Sequence, residues 1–382
     1  MTLCAAAVAL AMGACSSDPS DPDGGKVVNP DDETGRQPYT IPTLTGQLLV
    51  GHFLGNYEIY SFATASLAQT TGSPYVVGAP AGQVMAIGKH NVVAVVLEGL
   101  DSYDVVVLDA ATLRPIAGSP YSTDRGPTAM AHDDARDRLF ITCISTPGVP
   151  TESSVTVYDT SSVPWQELAG SPIPIDVPAF AIQVDPVLGR LYGISLTRLW
   201  AVELTDQGFV HLAGSPVYFD SGSGSDVAID PERRRVYFLE RRIPGPQLLH
   251  AYSLESFTLE PGSPLSVAGA IAGDFTLNLR TGDIYLVDYG DGKLHSIATE
   301  PLALRNTCGQ YGCDIPTTET GLALDYERDR LFLPQIPSLA APDEAPGALS
   351  VWDVSDPAMP SEITTSANRP ALGLFPNRMS IH

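Results

Sequence analysis

Short segments of apolar or alternating residues follow one another from about residue 43 to the end of the chain, each bounded by turn-forming residues. In one stretch, Thr128–His132 and Arg138–Ile144 are mostly apolar, while Ser154–Asp159 alternates between apolar and polar positions. Runs of this length favour β-strands, and alternation indicates a strand with one buried face. With Glu167–Gly170 as a fourth segment, the pattern predicts a unit of four short strands.

Two sequence motifs recur in step with these units. Gly-Ser-Pro returns at intervals of 44 to 52 residues, and an aspartate is followed five positions later by Arg, an aliphatic residue and an aromatic residue. Motifs that repeat together at such a period indicate one supersecondary unit repeated around an axis. A residue that recurs at the same position from unit to unit is needed for the fold of the unit rather than for one functional site. We therefore expect the motif aspartates to be structural. The tripeptide begins at Gly72, Gly118, Gly170, Gly214 and Gly262, and the aspartates are Asp133, Asp185, Asp230 and Asp325.

Counting the first strand of each unit gives seven units. Seven four-stranded units predict an all-β fold, a seven-bladed β-propeller of antiparallel blades. The N-terminal segments Leu48–Phe53 and Tyr57–Ala63 have no first strand of their own, whereas Pro370–Phe375 is a first strand near the C-terminus. We therefore expect one blade to be shared between the two chain ends. The predicted first strands lie near Val84, Ala129, Ile182, Val227, Phe275, Leu322 and Leu372.

The N-terminus has the pattern of a processing segment. The apolar run Leu3–Ala11 is too short to span a bilayer, and small residues then precede Cys15. This resembles a bacterial lipobox with Cys15 as the lipidated residue, although Met12 stands where Leu is usual. A cleaved secretory signal is the alternative. We expect a signal peptide over residues 1–15, a flexible acidic, Pro- and Gly-rich tether over 16–42, and the propeller over 43–382, anchored in the bacterial cell envelope.

The chain carries 44 acidic and 21 basic residues, for a formal net charge of −23. This charge argues against binding a nucleic-acid backbone and against electrostatic docking on anionic lipid, so the lipid anchor is the only membrane contact that we expect. Cations or a basic partner would be attracted instead. We expect a monomer.

Three cysteines remain after residue 15. Cys308 and Cys313 flank the turn where the repeat has lost its Gly-Ser-Pro, and a disulfide there would staple that turn. A two-cysteine metal site is the alternative. Cys143 lies in the middle of a predicted strand, where it is most simply a small buried apolar residue.

Candidate functional residues are the polar ones that break the repeat. The loops leading into the first strands meet at one mouth of a propeller, and their acidic side chains could gather there as oxygen ligands for Ca²⁺ or Mg²⁺. The alternative is a solvated acidic rim. The candidates at this mouth are Asp124, Arg125, Asp176, Asp220, Asp226, Glu319 and Arg369.

His132 is the one histidine that stands out. It occupies a first-strand position where other units carry Val, Ile or Leu. A histidine facing the channel could act as a catalytic base, whereas a hydrogen-bonded wall residue would have no catalytic role.

The repeat resembles the lactonase-like, YVTN-type β-propeller family of exported bacterial proteins. The likeness rests on Asp230 with Arg235-Val236-Tyr237 and on third strands such as Val155–Asp159. The resemblance implies the propeller fold and, for some members, hydrolysis of a lactone.

Because no catalytic constellation is evident, we expect a binding or scaffolding module for an envelope protein, peptide or glycan. The alternatives are a metal-assisted sugar-lactone hydrolase and a sensor that holds a small ligand in the channel.

Overall fold

The computed structural model describes residues 39, 41, 43–52, 57–97, 104–144, 153–176, 178–205, 208–220, 222–242, 245–267, 272–288, 292–305, 313–314, 321–335, 347–364, 368–372 and 376–381. These residues form a seven-bladed, all-β propeller, as the repeat predicts. Of the residues predicted to form the signal peptide and the flexible tether, Cys15 among them, all but Tyr39 and Ile41 lie outside these ranges, and Ile41 packs against the apolar cluster between blades 6 and 7. Within them, no helix is long and apolar enough to cross a membrane.

Thirty-one short strands make up the described part of the fold, together with one 3₁₀ turn at Gly88–His90. In chain order the strands are β1 (Gln47–His52), β2 (Glu58–Ala63), β3 (Tyr75–Val76), β4 (Ala81–Ile87), β5 (Val92–Leu97), β6 (Asp104–Asp109), β7 (Tyr121–Ser122), β8 (Gly126–Asp133), β9 (Arg138–Ile144), β10 (Ser153–Asp159), β11 (Gln166–Glu167), β12 (Ile173–Ile175), β13 (Ala181–Val184), β14 (Leu191–Ile194), β15 (Arg198–Thr205), β16 (Gly208–His211), β17 (Val217–Tyr218), β18 (Ser223–Asp230), β19 (Arg235–Arg241), β20 (Gln247–Ser253), β21 (Leu265–Val267), β22 (Ala272–Leu277), β23 (Ile284–Asp288), β24 (Lys293–Thr299), β25 (Leu302–Leu304), β26 (Cys313–Asp314), β27 (Ala323–Asp325), β28 (Arg330–Gln335), β29 (Ala348–Asp353), β30 (Ser361–Glu362) and β31 (Pro376–Ile381).

Each blade is an antiparallel sheet whose strands pair in chain order from the axis outwards. Blade 2 is β4–β7, blade 3 is β8–β12, blade 4 is β13–β17, blade 5 is β18–β21, blade 6 is β22–β26 and blade 7 is β27–β30. Blade 1 combines β31 from the C-terminus with β1, β2 and β3 from the N-terminus. The predicted closure by a shared blade is therefore correct.

The predicted position of the last innermost strand was wrong by several residues. That strand is β31, whereas the segment around Leu372 lies at the outside of blade 7. Ala371 bridges Ala348 at the start of β29, and the Leu372 N–H donates to the Gly347 carbonyl. The segment around Leu372 therefore lies at the outer edge of blade 7 rather than at the propeller axis, because its backbone partner is the third strand of that blade.

The outer strand of a blade is broken in two by the Gly-Ser-Pro turn. In blade 3, β11 pairs with the end of β10 and β12 with its beginning. Across the break, the Ser171 hydroxyl accepts a hydrogen bond from the Val157 N–H. The serine thus replaces a missing backbone acceptor, and the proline, which has no N–H, fits the outer edge. The same serine-to-third-strand bond recurs at Ser73, Ser119, Ser215 and Ser263, and Thr364 supplies it in blade 7.

The motif aspartates are structural, as their recurrence predicts. Asp133, Asp185, Asp230 and Asp325 are fully buried. The Asp325 carboxylate accepts the N–H groups of Glu327 and Arg328, the Arg328 guanidinium at 2.8 Å, and the Thr64 hydroxyl of blade 1 at 2.7 Å. A buried carboxylate is tolerated only when its oxygens are satisfied in this way.

Apolar clusters lie between neighbouring blades. Phe140 and Val157 of blade 3 pack with Leu191 and Trp200 of blade 4, for example. Burial of this surface, at about 25 cal/mol per Å², is the main stabilising contribution and requires both neighbours to be present. Cys143 is fully buried, and desolvation raises the pKa of its thiol to about 11. The structure thus places Cys143 as the small core residue that its position predicts. Cys308 and the side chain of Cys313 lie outside the described residues, so the disulfide remains a prediction.

Replacing Arg330 with Met should lower the thermal unfolding midpoint. The Arg330 guanidinium donates to the carbonyl oxygens of Thr64 at 2.6 Å and Ala65 at 2.9 Å, both in blade 1. We expect a loss of about 1–2 kcal/mol of unfolding free energy, or roughly 2–4 °C. Differential scanning calorimetry should show no comparable change for Arg114→Met, since Arg114 is exposed. An equal change in both variants would contradict the role given to Arg330.

Candidate functional site

The end of the propeller at which the innermost strands begin is termed here the pocket face, and the opposite end the hairpin face. The loops that lead into the innermost strands and those between second and third strands lie at the pocket face. The turns that hold the motif aspartates lie at the hairpin face. Two cavities open among the described residues of the pocket face, one at the axis and one between two blades.

A β-bulge interrupts the innermost strand at the pocket face in five blades. The register shifts between Ala81 and Gln83, between Pro127 and Ala129, between Gly224 and Asp226, and between Ala272 and Phe275. A fifth shift lies in the pairing of β1 with β31. A bulge re-aims the side chain next to it, and here it does so at the rim of the central channel.

The axial pocket lies between the innermost strands of five consecutive blades and has a volume of about 210 Å³. Four of its lining residues, Gly82, Thr128, Ser225 and Asp274, lie at the register shifts of these bulges. It is lined by Gly82, Gln83, Thr128, Phe180, Ala181, Ile182, Gln183, Gly224, Ser225, Asp226, Arg241 and Asp274.

Hydrogen bonds hold the polar wall of the axial pocket in place. The Gln83 amide accepts the Met130 N–H at 2.6 Å and donates to the Met130 carbonyl at 3.2 Å, so it ties blade 2 to blade 3. The Asp226 carboxylate accepts the Val227 N–H at 2.8 Å. The Arg241 guanidinium donates to the Ser225 hydroxyl at 3.3 Å. These bonds orient carboxylate, amide and guanidinium groups before any ligand binds.

A buried ionic network lies beneath this wall in blade 5. Glu240 is 1 % exposed, and its carboxylate lies 2.7 Å from His250 Nε2 and 2.7 Å from Arg242 Nε. A Cβ on Gly222 would overlap the Glu240 carboxylate, and one on Gly224 would overlap Ile194. Glycine at 224 therefore lets the segment that carries Ser225 and Asp226 lie this close to blade 4, and glycine at 222 lets it lie this close to Glu240 of its own blade.

The chemistry of the axial pocket suits a small polyhydroxylated molecule. Carboxylates, amides and a guanidinium supply both donors and acceptors, and Phe180, 41 % exposed, adds an apolar surface on which a sugar ring can lie. A pair of carboxylates beside a guanidinium can also accept a proton from water and stabilise a developing negative charge.

The second cavity is an interblade cleft between blades 3 and 4, with a volume of about 670 Å³. Asp124 and Arg125 form an ion pair of 3.1 Å at one side, and Asp176 lies 2.9 Å from His211 Nε2 at the other. The cleft is lined by Asp124, Arg125, Ser153, Ser154, Pro172, Pro174, Ile175, Asp176, Val202, Phe209 and His211.

The residues predicted from the sequence to share one mouth are thus divided among several places. Asp226 lines the axial pocket, whereas Asp124, Arg125 and Asp176 line the interblade cleft. Asp220 is exposed and lines neither cavity, and the Arg369 guanidinium binds the Glu362 carboxylate at 2.7 Å in blade 7. Glu319 lies outside the described residues. Among those described, no three His, Cys, Asp or Glu side chains come together closely enough for a metal ion, and the Ca²⁺ or Mg²⁺ site remains a prediction.

His132 lies near the hairpin face, away from the axial pocket. Its Nδ1 is 2.7 Å from the Asp134 carboxylate, its Nε2 is 2.9 Å from the Thr160 hydroxyl, and its ring meets that of His90 edge-on. The side chain is 5 % exposed. His132 is therefore a hydrogen-bonded residue between blades 2 and 3, and a catalytic role for it remains a prediction.

Several lining residues of the axial pocket were missed in the sequence, although a signal for them exists. Gln83, Thr128 and Asp274 each stand directly before an apolar residue near the start of an innermost strand, as the predicted Asp226 does. A polar residue recurring at that position marks the channel rim. Gln183 and Arg241 have no such signal, because only the folded arrangement brings them to the axis.

No family model matches the sequence, and no curated protein matches it. Similar solved structures include a candidate 6-phosphogluconolactonase of Bacteroides fragilis (12 % identity, TM-score 0.64, covering 90 % of this chain and 100 % of that one). They also include a periplasmic gluconolactonase of Pseudomonas aeruginosa (14 % identity, TM-score 0.61, 88 % and 98 %) and a functionally unknown protein of Desulfotomaculum acetoxidans (11 %, 0.60, 88 % and 99 %). At these identities the likeness shows the fold alone.

Acidification should destabilise the protein through its buried imidazoles. Burial lowers the pKa of His250 below the usual 6.5, although its bond to Glu240 opposes the shift, and burial lowers the pKa of His52 likewise. The unfolded state therefore binds more protons below pH 6.5, and unfolding free energy falls as the pH decreases from there. Urea unfolding at pH 7.5 and 5.5 should show this fall, and it should be smaller in His250→Gln. An unchanged dependence in that variant would rule out His250 as a source.

Proposed function

We propose that this protein binds a sugar lactone in the axial pocket and hydrolyses it. The observation that carries the proposal is the convergence of Asp226, Asp274 and Arg241 on a pocket of about 210 Å³ at the propeller axis. That volume suits a single sugar ring. The likeness of the fold to a periplasmic gluconolactonase and to a candidate 6-phosphogluconolactonase supports the same choice.

The residues of the pocket can divide the reaction among them. The Asp226 carboxylate, oriented by the Val227 N–H, would accept a proton from water as the oxygen attacks the lactone carbonyl carbon. The Arg241 guanidinium would stabilise the oxyanion that forms. The bond between the carbonyl carbon and the ring oxygen then breaks, the protonated Asp226 returns its proton to the ring oxygen, and an open-chain hydroxy acid leaves. Gln83 and Asp274 would bind the sugar hydroxyl groups.

Asp226→Asn and Arg241→Met should each lower the kcat/KM of lactone hydrolysis, by about 100-fold for a lost base or oxyanion donor. Release of acid from glucono-1,5-lactone, corrected for spontaneous hydrolysis, measures the effect, with EDTA, Ca²⁺ and Mg²⁺ as separate arms. Asp176→Asn is the matched control, because it removes the same charge from the interblade cleft. A loss of lactone hydrolysis in Asp176→Asn alone would instead indicate that the reaction takes place in the interblade cleft. Binding without turnover in the wild type would favour a sensor.

One specific observation supports a binding or scaffolding role. Three exposed apolar side chains lie at the pocket face of blade 4, namely Phe180 (41 % exposed), Leu196 (57 %) and Tyr218 (63 %). A patch of this kind can hold a partner protein or peptide. Leu196→Asp would abolish such binding and leave lactone hydrolysis unchanged, since Leu196 does not line the axial pocket.

We further propose that the protein is exported and anchored to the bacterial envelope through a lipid on Cys15. The lipobox-like residues before Cys15 and the polar tether after it support this, and the gluconolactonase of similar fold is periplasmic. Cys15→Ser should move the protein from the membrane pellet to the soluble fraction and abolish incorporation of labelled palmitate. Persistence of the wild-type protein in the soluble fraction without label would instead indicate a cleaved signal.

A further inference from the structure

We infer that the axial pocket selects an unphosphorylated lactone and rejects the phosphorylated one. This inference rests on the proposed function and specifies its substrate class. It follows from the charges that the described residues place around the pocket, where two carboxylates, Asp226 and Asp274, face one guanidinium, that of Arg241. A phosphate group would therefore add two negative charges to a site that already has an excess of negative charge.

The position of Arg241 does not offset this excess. Its guanidinium donates to the Ser225 hydroxyl at the rim, and Ser225 lies at the register shift of the bulge, next to Asp226 in the chain. A phosphate that reached Arg241 would lie beside the Asp226 carboxylate. Like charges within about 6 Å repel strongly at the effective dielectric constant of a protein surface, and the formal net charge of −23 adds to the repulsion.

The same charges distinguish substrate from product. A sugar lactone is neutral, whereas the hydroxy acid that forms on hydrolysis is an anion at neutral pH. The carboxylates that accept hydroxyl hydrogen bonds from the neutral ring would repel the new carboxylate. The pocket is thus suited to bind the neutral substrate and release the anionic product.

A matched pair of ligands tests the inference. 1,5-Anhydroglucitol is a neutral cyclic analogue without the reactive carbonyl, and its 6-phosphate differs from it by the phosphate alone. Isothermal titration should give a Kd for the phosphate at least about tenfold higher than for the neutral analogue. In the wild type the ratio of the two Kd values should decrease as salt is raised from about 0.05 to 0.5 M, because salt screens the repulsion.

Asp274→Asn should lower the same ratio by about tenfold, because it removes one of the two carboxylates. Asp356→Asn is the control, since Asp356 is exposed in a turn at the hairpin face and its loss changes the net charge equally. Its ratio should equal that of the wild type. Thermal unfolding checks that both variants are folded, and the salt series in the wild type tests the inference independently of either.

The outcomes separate the two proposals. If the wild type binds the phosphate as tightly as the neutral analogue, or more tightly, the inference is overturned while the axial site stands. If the wild type binds neither ligand and turns over neither glucono-1,5-lactone nor its 6-phosphate, the proposed function fails and the inference fails with it.

Discussion

The hydrogen bonds that arginines make from one blade to the next are the interaction on which this ring depends. The guanidinium of Arg190 in blade 4 reaches the carbonyls of Leu254 and Glu255 in blade 5, and that of Arg330 in blade 7 reaches Thr64 and Ala65 in blade 1. The arginine of the repeated motif satisfies carbonyl groups at the end of the neighbouring third strand, so it fixes the angle between two blades. Each such arginine contributes about 1–2 kcal/mol, and the last of these contacts joins blade 7 to the blade that β31 completes.

A ring held in this way at the hairpin face leaves the opposite end free to vary. In the part of the chain that the structure describes, the bulges occur where the innermost strands begin, at the far end from the motif aspartates and arginines. A bulge disrupts pairing locally, and the bonds at the other end keep the strand in register beyond it. Side chains such as Thr128, Ser225 and Asp274 can therefore lie at the axis without loosening their blades.

The seven-bladed architecture can be predicted from the sequence, because the interactions that build each blade recur along the chain and join residues that are close in sequence. The buried Asp325 satisfies N–H groups two and three residues further on, and the serine of Gly-Ser-Pro bonds within its own blade, so each leaves a signature at a fixed spacing. The axial pocket, in contrast, is formed by residues that are far apart in the sequence. Asp176 and Asp226 both lie at the pocket face, as their positions in the repeat predict. Those positions do not predict how far each residue lies from the propeller axis. Asp176 follows the outer strand β12 and lies in the cleft, whereas Asp226 lies on an innermost strand, so the two cannot share one ligand shell.

Blade 5 keeps the motifs of the repeat, and one departure within it adjoins the axial pocket. Glu240 occupies the position five residues after the motif arginine, where blades 3, 4 and 7 carry the buried Cys143, Ser195 and Gln335. A carboxylate buried where blades 3, 4 and 7 bury neutral groups costs several kcal/mol unless it is paired, and His250 and Arg242 pair it here. Blade 6 also buries a carboxylate at this position, that of Asp288. Stability alone would favour a neutral residue, as in blades 3, 4 and 7. The network instead supports the glycine-containing segment that carries Ser225 and Asp226, and this combination of local cost and proximity is characteristic of a functional site.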